Sequence, residues 1–348
     1  MIIASVTITS NRVDIIGDAI KSVLPWVDMV VLIDLGITDE TVDVALAIAG
    51  DKLRVVKYEG PSDTSAWRNF GNDTAHALGA DWACTLDTDE RMNVGRVNVR
   101  KFLERTEAQC LLVYDKDRIY AKERFFRLPA TIQFKRNCHE RIPANAQGID
   151  SFKEITFSEI PKTGQALLDK YEFIERETRK AVEDDPTDSR SWFYLGDALA
   201  GKHDYSAAAE AFNNCAINSH DPAEAAWARF QQAVCLEQME KFSEGIAVCA
   251  MGLTHHPGCA ELAWWAGYLS LRMGQAEPAF YWGTIAKSLG KVEGIGNQVQ
   301  RYFFSSPIGL YEGPFQVIQV AMAALGDMKA SAEAECMVKR AIRLRQAA

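Results

Sequence analysis

Residues 82–91, WACTLDTDER, decide how the first part of the chain is interpreted, because an apolar run ends there abruptly in acidic residues. Alternate side chains of an extended backbone share a face, so this pattern predicts that Asp87 and Asp89 project the same way. Two neighbouring carboxylates repel each other unless a divalent cation or a hydrogen-bonding ligand such as a ribose satisfies them. A surface turn with solvated acids is the alternative, since a D-x-D sequence alone is a weak signal.

The residues before this stretch alternate between predicted strands and helices. Apolar, β-branched runs at 2–9, 30–33 and 53–58 are predicted strands, and apolar residues at helical spacing lie between them. Four strands alternating with three helices indicate a largely parallel sheet with right-handed crossovers. Polar residues follow strands one, two and four, at the edge where open α/β sheets bind ligands. The sequence therefore predicts one ligand site at that edge.

Four motifs in this order resemble the amino-terminal domain of family 2 glycosyltransferases of the GT-A fold. They are TITSN after strand one, IDLGITDET after strand two, SAWRNFGNDTAHALGADW before strand four, and LDTDE at its end. The family more usually has K-N-E, D-x-G-S-x-D-x-T, A-R-N and D-A-D-E at these places. Arg12 stands where an acidic residue is common, and Ile37 replaces the usual serine. The resemblance covers roughly residues 1–142 and implies an α/β, Rossmann-like, mostly parallel sheet.

The resemblance implies a metal-dependent, inverting hexosyltransferase that uses a nucleotide sugar, UDP-linked in this family. Asp89 would bind Mn²⁺ or Mg²⁺ and so act in catalysis, while Asp87 would contact the ribose or share the metal. Asp34 and Asn11 would contact the nucleotide, and the planar guanidinium of Arg68 suits phosphate oxygens. The cation would neutralise the charge that grows on the diphosphate as the sugar becomes oxocarbenium-like.

Residues 123–142, ERFFRLPATIQFKRNCHERI, resemble a second signature of the family, an R-L-F-R stretch followed by H-E. His139 would be a metal ligand, since a neutral imidazole suits transition metals. Glu140 would be the general base that takes the proton from the acceptor. Glu90 and Asp117 are alternatives for the base, because either could reach the acceptor instead.

The second half of the chain has an internal period. Trp192, Trp227 and Trp264 recur at intervals of 35 and 37 residues in Ala-rich helical sequence, and a fourth copy covers residues 315–342. A spacing of about 34 residues, with an aromatic residue opening the second helix, resembles tetratricopeptide repeats. Stacked helix pairs of this kind form a concave surface. That surface could hold the acceptor, a partner protein or a second copy of the chain, or the repeats could merely extend and stabilise the first domain.

The predicted organisation is a GT-A domain over residues 1–150, a linker over 151–170 and helical repeats over 171–348. The first helix of the array is expected to begin near Gly164. Residues 290–314 interrupt the period around RYFF at 301–304, and they are predicted to form either a binding loop or a packed insert.

Composition limits the classes of function. A chain of 348 residues favours two domains, and a net charge of -9 argues weakly against a nucleic-acid surface. The eight cysteines lack the spacing of a zinc site or a disulfide framework, so they are expected to be buried thiols in a reducing compartment. The amino terminus lacks a secretory pattern, and no apolar run reaches about 18 residues. The sequence therefore predicts a cytoplasmic protein.

Two other functional classes stay open. One is a non-enzymatic repeat scaffold that carries a degenerate GT-A domain. The other is a nucleotidyltransferase, which is disfavoured because no Gly-rich, Lys-bearing phosphate loop follows strand one. The acceptor is undetermined among a peptide or protein, a glycan, a lipid-linked sugar and a modified nucleobase, although the acidic balance disfavours nucleic acid and the missing anchor disfavours lipid.

Overall fold

The computed structural model describes residues 1–116, 120–135, 142–143, 145–295 and 306–347. The chain divides into two compact units, Met1–Thr163 and Gly164–Ala348. The described part of the first unit is a mixed α/β domain, and that of the second is helical.

The first unit forms one sheet with helices packed on it. Its strand order is β3-β2-β1-β4-β7-β6-β8-β5. In chain order the elements are β1 (Ile3–Thr9), α1 (Ile16–Val23), β2 (Met29–Asp34), α2 (Thr41–Ala49), a 3₁₀ helix (Gly50–Lys52), β3 (Leu53–Lys57), α3 (Thr64–Ala77), β4 (Trp82–Thr85), β5 (Glu90–Asn93), α4 (Val99–Leu103), β6 (Cys110–Asp115), β7 (Ala121–Arg127) and β8 (Ile149–Glu159).

The first four strands are parallel, as the sequence predicts. β1 lies between β2 and β4, and β2 also pairs with β3. Thr9 is the register partner of Asp34, and Val6 is that of Thr85, so the carboxyl ends of β1, β2 and β4 share one edge. The shared carboxyl edge at which the sequence predicts a ligand is therefore present.

The rest of the sheet corrects the prediction that it is mostly parallel. β7 runs antiparallel to both β4 and β6, and β5 runs antiparallel to β8, while β6 and β8 are parallel. Only residues 116–120 join β6 to β7, and so short a connection permits only an antiparallel pair. The sheet as a whole is mixed.

Helices cover both faces of the parallel half. Val30 and Leu32 of β2 pack into a core with Ile20 of α1, whereas Val31 and Ile33 point to the other face, which α3 covers. All four β2 residues are fully buried. A continuous apolar run is typical of a strand that is buried on both faces.

The predicted linker, residues 151–170, instead contains most of β8 and the start of α5. β8 buries Phe152, Ile155 and Phe157. The pairing of β8 with β6 is irregular between its partners Leu112 and Tyr114, so the buried residues are three and then two positions apart. A strand of this kind does not show the period of two by which strands are recognised in a sequence.

The second unit is a series of helices. They are α5 (Gly164–Asp184), α6 (Ser189–Gly201), α7 (Tyr205–Asn218), α8 (Pro222–Gln238), α9 (Phe242–His255), α10 (Ala260–Arg272), α11 (Ala276–Leu289), α12 (Pro307–Leu310), α13 (Gly313–Ala324) and α14 (Met328–Ala347). α5 begins at Gly164, where the sequence places the first array helix. The RYFF segment at 301–304 lies outside the described residues.

These helices form tetratricopeptide-like pairs, as predicted. The recurring tryptophans lie in α6, α8 and α10, which are the first helices of successive pairs. The fourth residue of each second helix is small and buried, which lets the paired helices approach closely. At Gly245 a Cβ would lie 3.6 Å from the Ala233 carbonyl of the paired helix α8 and only 2.7 Å from Leu269 Cδ1 of α10, the first helix of the next pair, so the small residue also admits that neighbouring pair. The residues at this position are Ala208, Gly245, Ala279 and Ser331.

Six cysteines are buried free thiols, as expected, whereas Cys336 is exposed and Cys138 lies outside the described residues. Burial raises the pKa of the Cys84 thiol, which keeps that group protonated. Across the ranges given above, no helix has the length and apolar character needed to cross a bilayer.

Gly71 allows α3 to lie directly on β1, because a Cβ there would be 2.6 Å from Val6 Cγ1. Gly71→Leu should force the helix away from the sheet and lower the free energy of unfolding by about 1–3 kcal/mol. Urea titration of the full chain, with hydrogen exchange of the β1 amides as the readout, measures this loss. Ala77→Leu on the exposed side of α3 is the control, with an expected change below about 0.5 kcal/mol. Equal stability of the two variants would contradict this packing.

Candidate functional site

The chain turns directly after β4. The Glu90 amide donates to the Asp87 carbonyl at 3.0 Å, and the Asp87 amide donates to Glu90 Oε2 at 3.2 Å. These two bonds close a turn over residues 87–90. The prediction of an extended backbone with Asp87 and Asp89 on one face is therefore wrong, and the two carboxylates have different partners.

Neighbouring elements hold this turn in place. Arg91 donates to the Thr88 carbonyl at 2.7 Å and to the Ile15 carbonyl before α1 at 3.0 Å. The Ile160 amide, just after β8, donates to the Asp89 carbonyl at 2.8 Å. The turn is thus preorganised by the surrounding fold.

A chain of alternating charges runs inward from Asp87. The Asp87 carboxylate pairs with Arg68 at 3.0 Å and with Arg124 at 3.3 Å. Arg124, with a side chain only 3% exposed, also pairs with the fully buried Glu90. Lys122 pairs with Glu90 at 3.0 Å and with Glu159. Buried charges are tolerated when they are paired in this way.

These charges set the ionisation of the cluster. Burial alone would raise the pKa of Asp87, but the positive charges of Arg68, Arg124 and Lys122 hold that pKa below its ordinary value. Burial raises the pKa of Glu90, and the negative charge of Asp87 raises it further, against the opposing charge of Arg124. The outer carboxylate of the cluster is therefore the more firmly ionised of the two.

A cleft of about 220 Å³ lies at the carboxyl edge of the parallel strands. Asp63 caps α3 by accepting from the Ala66 amide at 3.0 Å. Thr64 and Trp67, in the first turn of that helix, line the cleft. Two arginines give the cleft positive charge, and the Trp67 indole and aliphatic side chains form an apolar wall. The lining residues are Ile8, Thr9, Ser10, Arg12, Leu35, Thr64, Trp67, Arg68, Asp87 and Thr88.

Asp34 and Asn11 shape the loop beside this cleft rather than line it. Asp34 Oδ1 accepts from the amides of Gly36 at 2.7 Å and Ile37 at 2.6 Å. Asn11 Oδ1 accepts from the Thr38 amide at 2.7 Å, and Asn11 Nδ2 donates to Thr38 Oγ1 at 2.9 Å. Gly36 has φ +101°, a conformation that favours glycine. Both polar side chains thereby fix the position of the β2–α2 loop.

Asp89 lies apart from the charge chain and pairs with Lys162. His139, Glu140 and Asp117 lie outside the described residues. Within the described ranges, no group of three or more His, Cys, Asp or Glu side chains could hold a metal ion. The site therefore brings Arg68 and Asp87 together, whereas Asp89, in the same turn as Asp87, pairs with Lys162 instead.

Sequence reasoning gave no role to Arg124, Lys122 or Lys162. Lys122 and Arg124 are two residues apart on β7, so a period of two would have placed both on one face of a predicted strand. This alternation is present in the sequence of β7, AKERFFR, but it does not indicate which carboxylates form ion pairs with Lys122 and Arg124. For Lys162 the sequence holds no signal, because its pairing with Asp89 depends on the undetected strand β8.

No protein-family model matches the chain, and no curated protein matches it. Solved structures similar to it include a crystal structure of MamA, with 13% identity and a TM-score of 0.41 over 52% of this chain and 93% of that chain. Another is MamA from Desulfovibrio magneticus RS-1, with 16% identity and a TM-score of 0.37 over 52% and 98%. A third is YrrB, described as a TPR protein with an unusual peptide-binding site, with 12% identity and a TM-score of 0.37 over 49% and 77%. The helix pairs themselves, and not these similarities, establish the repeat architecture.

Arg124→Met should leave Glu90 buried with Lys122 as its remaining cationic partner. We expect a loss of about 3–5 kcal/mol in the free energy of unfolding, because a buried carboxylate would lose its closest counter-charge. Hydrogen exchange of the β4 and β7 amides in urea measures this loss in the full chain. Arg54→Met removes an exposed arginine that donates to the nearby carbonyls of Asp51 and Leu53, and it should be nearly neutral. A loss below about 1 kcal/mol in Arg124→Met would contradict the ion-pair geometry.

The stabilising effect of Asp87 should depend on pH. Its pKa is lower in the folded chain, so its ionisation stabilises the fold above the unfolded-state pKa of about 3.9 and loses this effect as pH falls toward the folded-state pKa. The difference in unfolding free energy between the wild type and Asp87→Asn should be flat from about pH 5 to 7 and shrink below about pH 4. Urea titrations across this range measure it. A difference that stays constant at low pH would contradict the lowered pKa.

Proposed function

We propose that the first unit transfers a hexosyl group from a nucleotide diphosphate sugar, UDP-linked, to an acceptor presented by the helical repeats. The observation that carries the proposal is the pairing of Arg68 with Asp87 in a cleft at the carboxyl edge of the parallel strands. This edge is where open α/β sheets bind ligands. The order of the four sequence motifs supports the same activity.

Arg68 would bind the diphosphate of the donor. Its guanidinium is held by the Asp87 carboxylate at 3.0 Å, and its planar fork of N–H donors suits phosphate oxygens. Asp87, itself 28% exposed, would then orient Arg68 and not act mainly as a metal ligand. Trp67 and Leu35 would supply an apolar wall for the nucleoside, while Asp34 and Asn11 would hold the adjoining loop.

Asp89 fits a divalent cation better than Asp87 does. The ammonium of Lys162, the ion-pair partner of Asp89, lies on a flexible side chain that is 36% exposed. Asp87 is instead held by two guanidinium groups, one of them buried. Bound Mn²⁺ or Mg²⁺ would neutralise negative charge on the departing diphosphate. His139 stays a proposed ligand and Glu140 the proposed base, since Glu90 is fully buried and paired with two cations.

The reaction would invert the anomeric carbon. The base would take the proton of the acceptor nucleophile as that atom bonds to the anomeric carbon, and the bond to the diphosphate would break on the opposite face. Arg68 would remain on the departing phosphate oxygens, where the negative charge develops. The acceptor class stays open among a peptide or protein, a glycan and a modified nucleobase. Buried free thiols support a reducing compartment such as the cytoplasm.

Hydrolysis of a panel of UDP-sugars, followed by UDP release with Mn²⁺ and no acceptor, tests this activity. Arg68→Met and Asp89→Asn should each lower the rate by about 100-fold or more, because each removes a group that stabilises charge on the leaving diphosphate. Asp51→Asn, at the opposite edge of the sheet, should leave the rate unchanged. Absence of UDP release from every sugar, or equal rates in all variants, would contradict the transferase proposal.

A repeat scaffold with an inactive first unit is the second candidate. The observation that favours it is that Arg68, Arg124 and Lys122 already neutralise Asp87 and Glu90, so the cluster could serve only to stabilise the sheet. Calorimetry with UDP and Mn²⁺ separates the two candidates. UDP binding that is weakened in Arg68→Met supports the transferase. Absence of UDP binding supports the repeat scaffold.

A further inference from the structure

Another pocket lies at the edge of the sheet opposite the cleft. It has a volume of about 560 Å³ and is lined by residues 25–28, Lys52 and residues 95–100. Asp28 comes directly before β2 and Lys52 directly before β3, so this amino-edge pocket lies at the amino ends of the parallel strands. Its volume is in the range of pockets that hold small molecules.

Three cations and one carboxylate line the amino-edge pocket. Arg100 and Asp28 form an ion pair, in which Arg100 Nη2 donates to both carboxylate oxygens at 2.7 Å. Lys52 and Arg96 form no ion pair with any residue that the structure describes, and Arg96 is exposed. The lining therefore has two more cations than carboxylates, in a chain whose net charge is -9.

The surrounding fold holds two of these cations in place. The Lys52 ammonium donates to the carbonyls of Leu24 at 3.2 Å and Val27 at 2.7 Å, in the segment that follows α1. An ammonium has three N–H donors, and both acceptors are neutral, so one donor is left over and the charge is not neutralised. Arg100 donates to the Met1 carbonyl as well as to Asp28. Cations that are already fixed lose little conformational entropy when an anion binds.

Part of the lining is apolar. Pro25, Trp26 and Val97 contribute to it. The Trp26 indole N–H donates to the Ser22 carbonyl at 3.3 Å, and the indole packs on Phe125 with ring centroids 5.8 Å apart. A ligand that fills this pocket therefore needs an apolar part beside its negative charge.

We propose that the amino-edge pocket binds an organic phosphate monoester, with its phosphate on Lys52 and Arg96 and its organic group against Trp26. A phosphate monoester carries a charge of about -1.5 to -2 at pH 7, which matches the two cations that have no carboxylate partner. The planar fork of an arginine also suits phosphate oxygens. The pocket is separate from the cleft, and the inference does not depend on the transferase activity.

NMR titration of the full chain with phenyl phosphate, with the Trp26 indole N–H signal as the readout, tests this site. The signal should shift saturably. Arg96→Met should weaken binding about tenfold, because it removes a charge-assisted hydrogen bond from an exposed residue on which the fold does not depend. Arg96→Lys keeps the charge and should weaken binding by no more than about threefold. Arg179→Met is the charge-matched control, since this exposed arginine of α5 pairs with Glu175, and its affinity should match the wild type.

Two further ligands separate the charge from the ring. Benzyl alcohol has a ring without the charge and should not bind measurably, whereas inorganic phosphate has the charge without a ring and should bind more weakly than phenyl phosphate. Equal binding of inorganic phosphate and phenyl phosphate would reject the organic ester as the ligand.

Equal affinity for phenyl phosphate in the wild type and Arg96→Met would overturn the inference, as would an equal loss of affinity in Arg179→Met. A Trp26 signal that does not shift would overturn it too. Loss of binding in Arg68→Met, with binding kept in Arg96→Met, would place the phosphate in the cleft and reject the amino-edge pocket.

Discussion

The buried ion pairs of Arg124 are the interaction on which the first unit depends. Arg124 lies on β7 and binds carboxylates of the turn that follows β4, Asp87 and Glu90. A guanidinium buried to this degree is tolerated only beside carboxylates, and the buried Glu90 likewise needs cations beside it. These ion pairs thereby fix β7, the antiparallel neighbour of β4, against the turn over residues 87–90. Arg68 takes its position in the cleft from the same carboxylate, Asp87.

The charge of the site differs from that of the whole chain. The chain carries a net charge of -9, yet the ion pairs at the turn match four carboxylates with four cations, while Arg91 at the turn and Arg12 at the cleft add further positive charge. A cleft whose described charged lining is two arginines and one aspartate suits an anionic ligand. The paired residues are Asp87, Asp89, Glu90 and Glu159 with Arg68, Lys122, Arg124 and Lys162.

The sequence predicts the parallel half of the sheet and the helix pairs because both follow from local patterns. Continuous apolar runs such as Val30 to Ile33 mark strands buried on both faces, and the recurring tryptophans mark the repeats. The resemblance implies that Arg68 and Asp87 serve one nucleotide site, but their direct ion pair is seen only in the structure. The sequence does not predict the turn after β4, strand β8 or the pairing of Lys162 with Asp89, because these depend on contacts between distant segments. The alternation of β8 is broken between Phe152 and Ile155, so no local pattern revealed that strand.

The central claim is that Arg68 and Asp89 serve a diphosphate and its cation at the edge of the parallel strands. A crystal structure of the full chain with UDP and Mn²⁺ tests it most directly. We predict phosphate oxygens within hydrogen-bond distance of the Arg68 guanidinium and Mn²⁺ on the Asp89 carboxylate. A nucleotide bound elsewhere, with no phosphate oxygen near the Arg68 guanidinium and no Mn²⁺ on Asp89, would contradict the account.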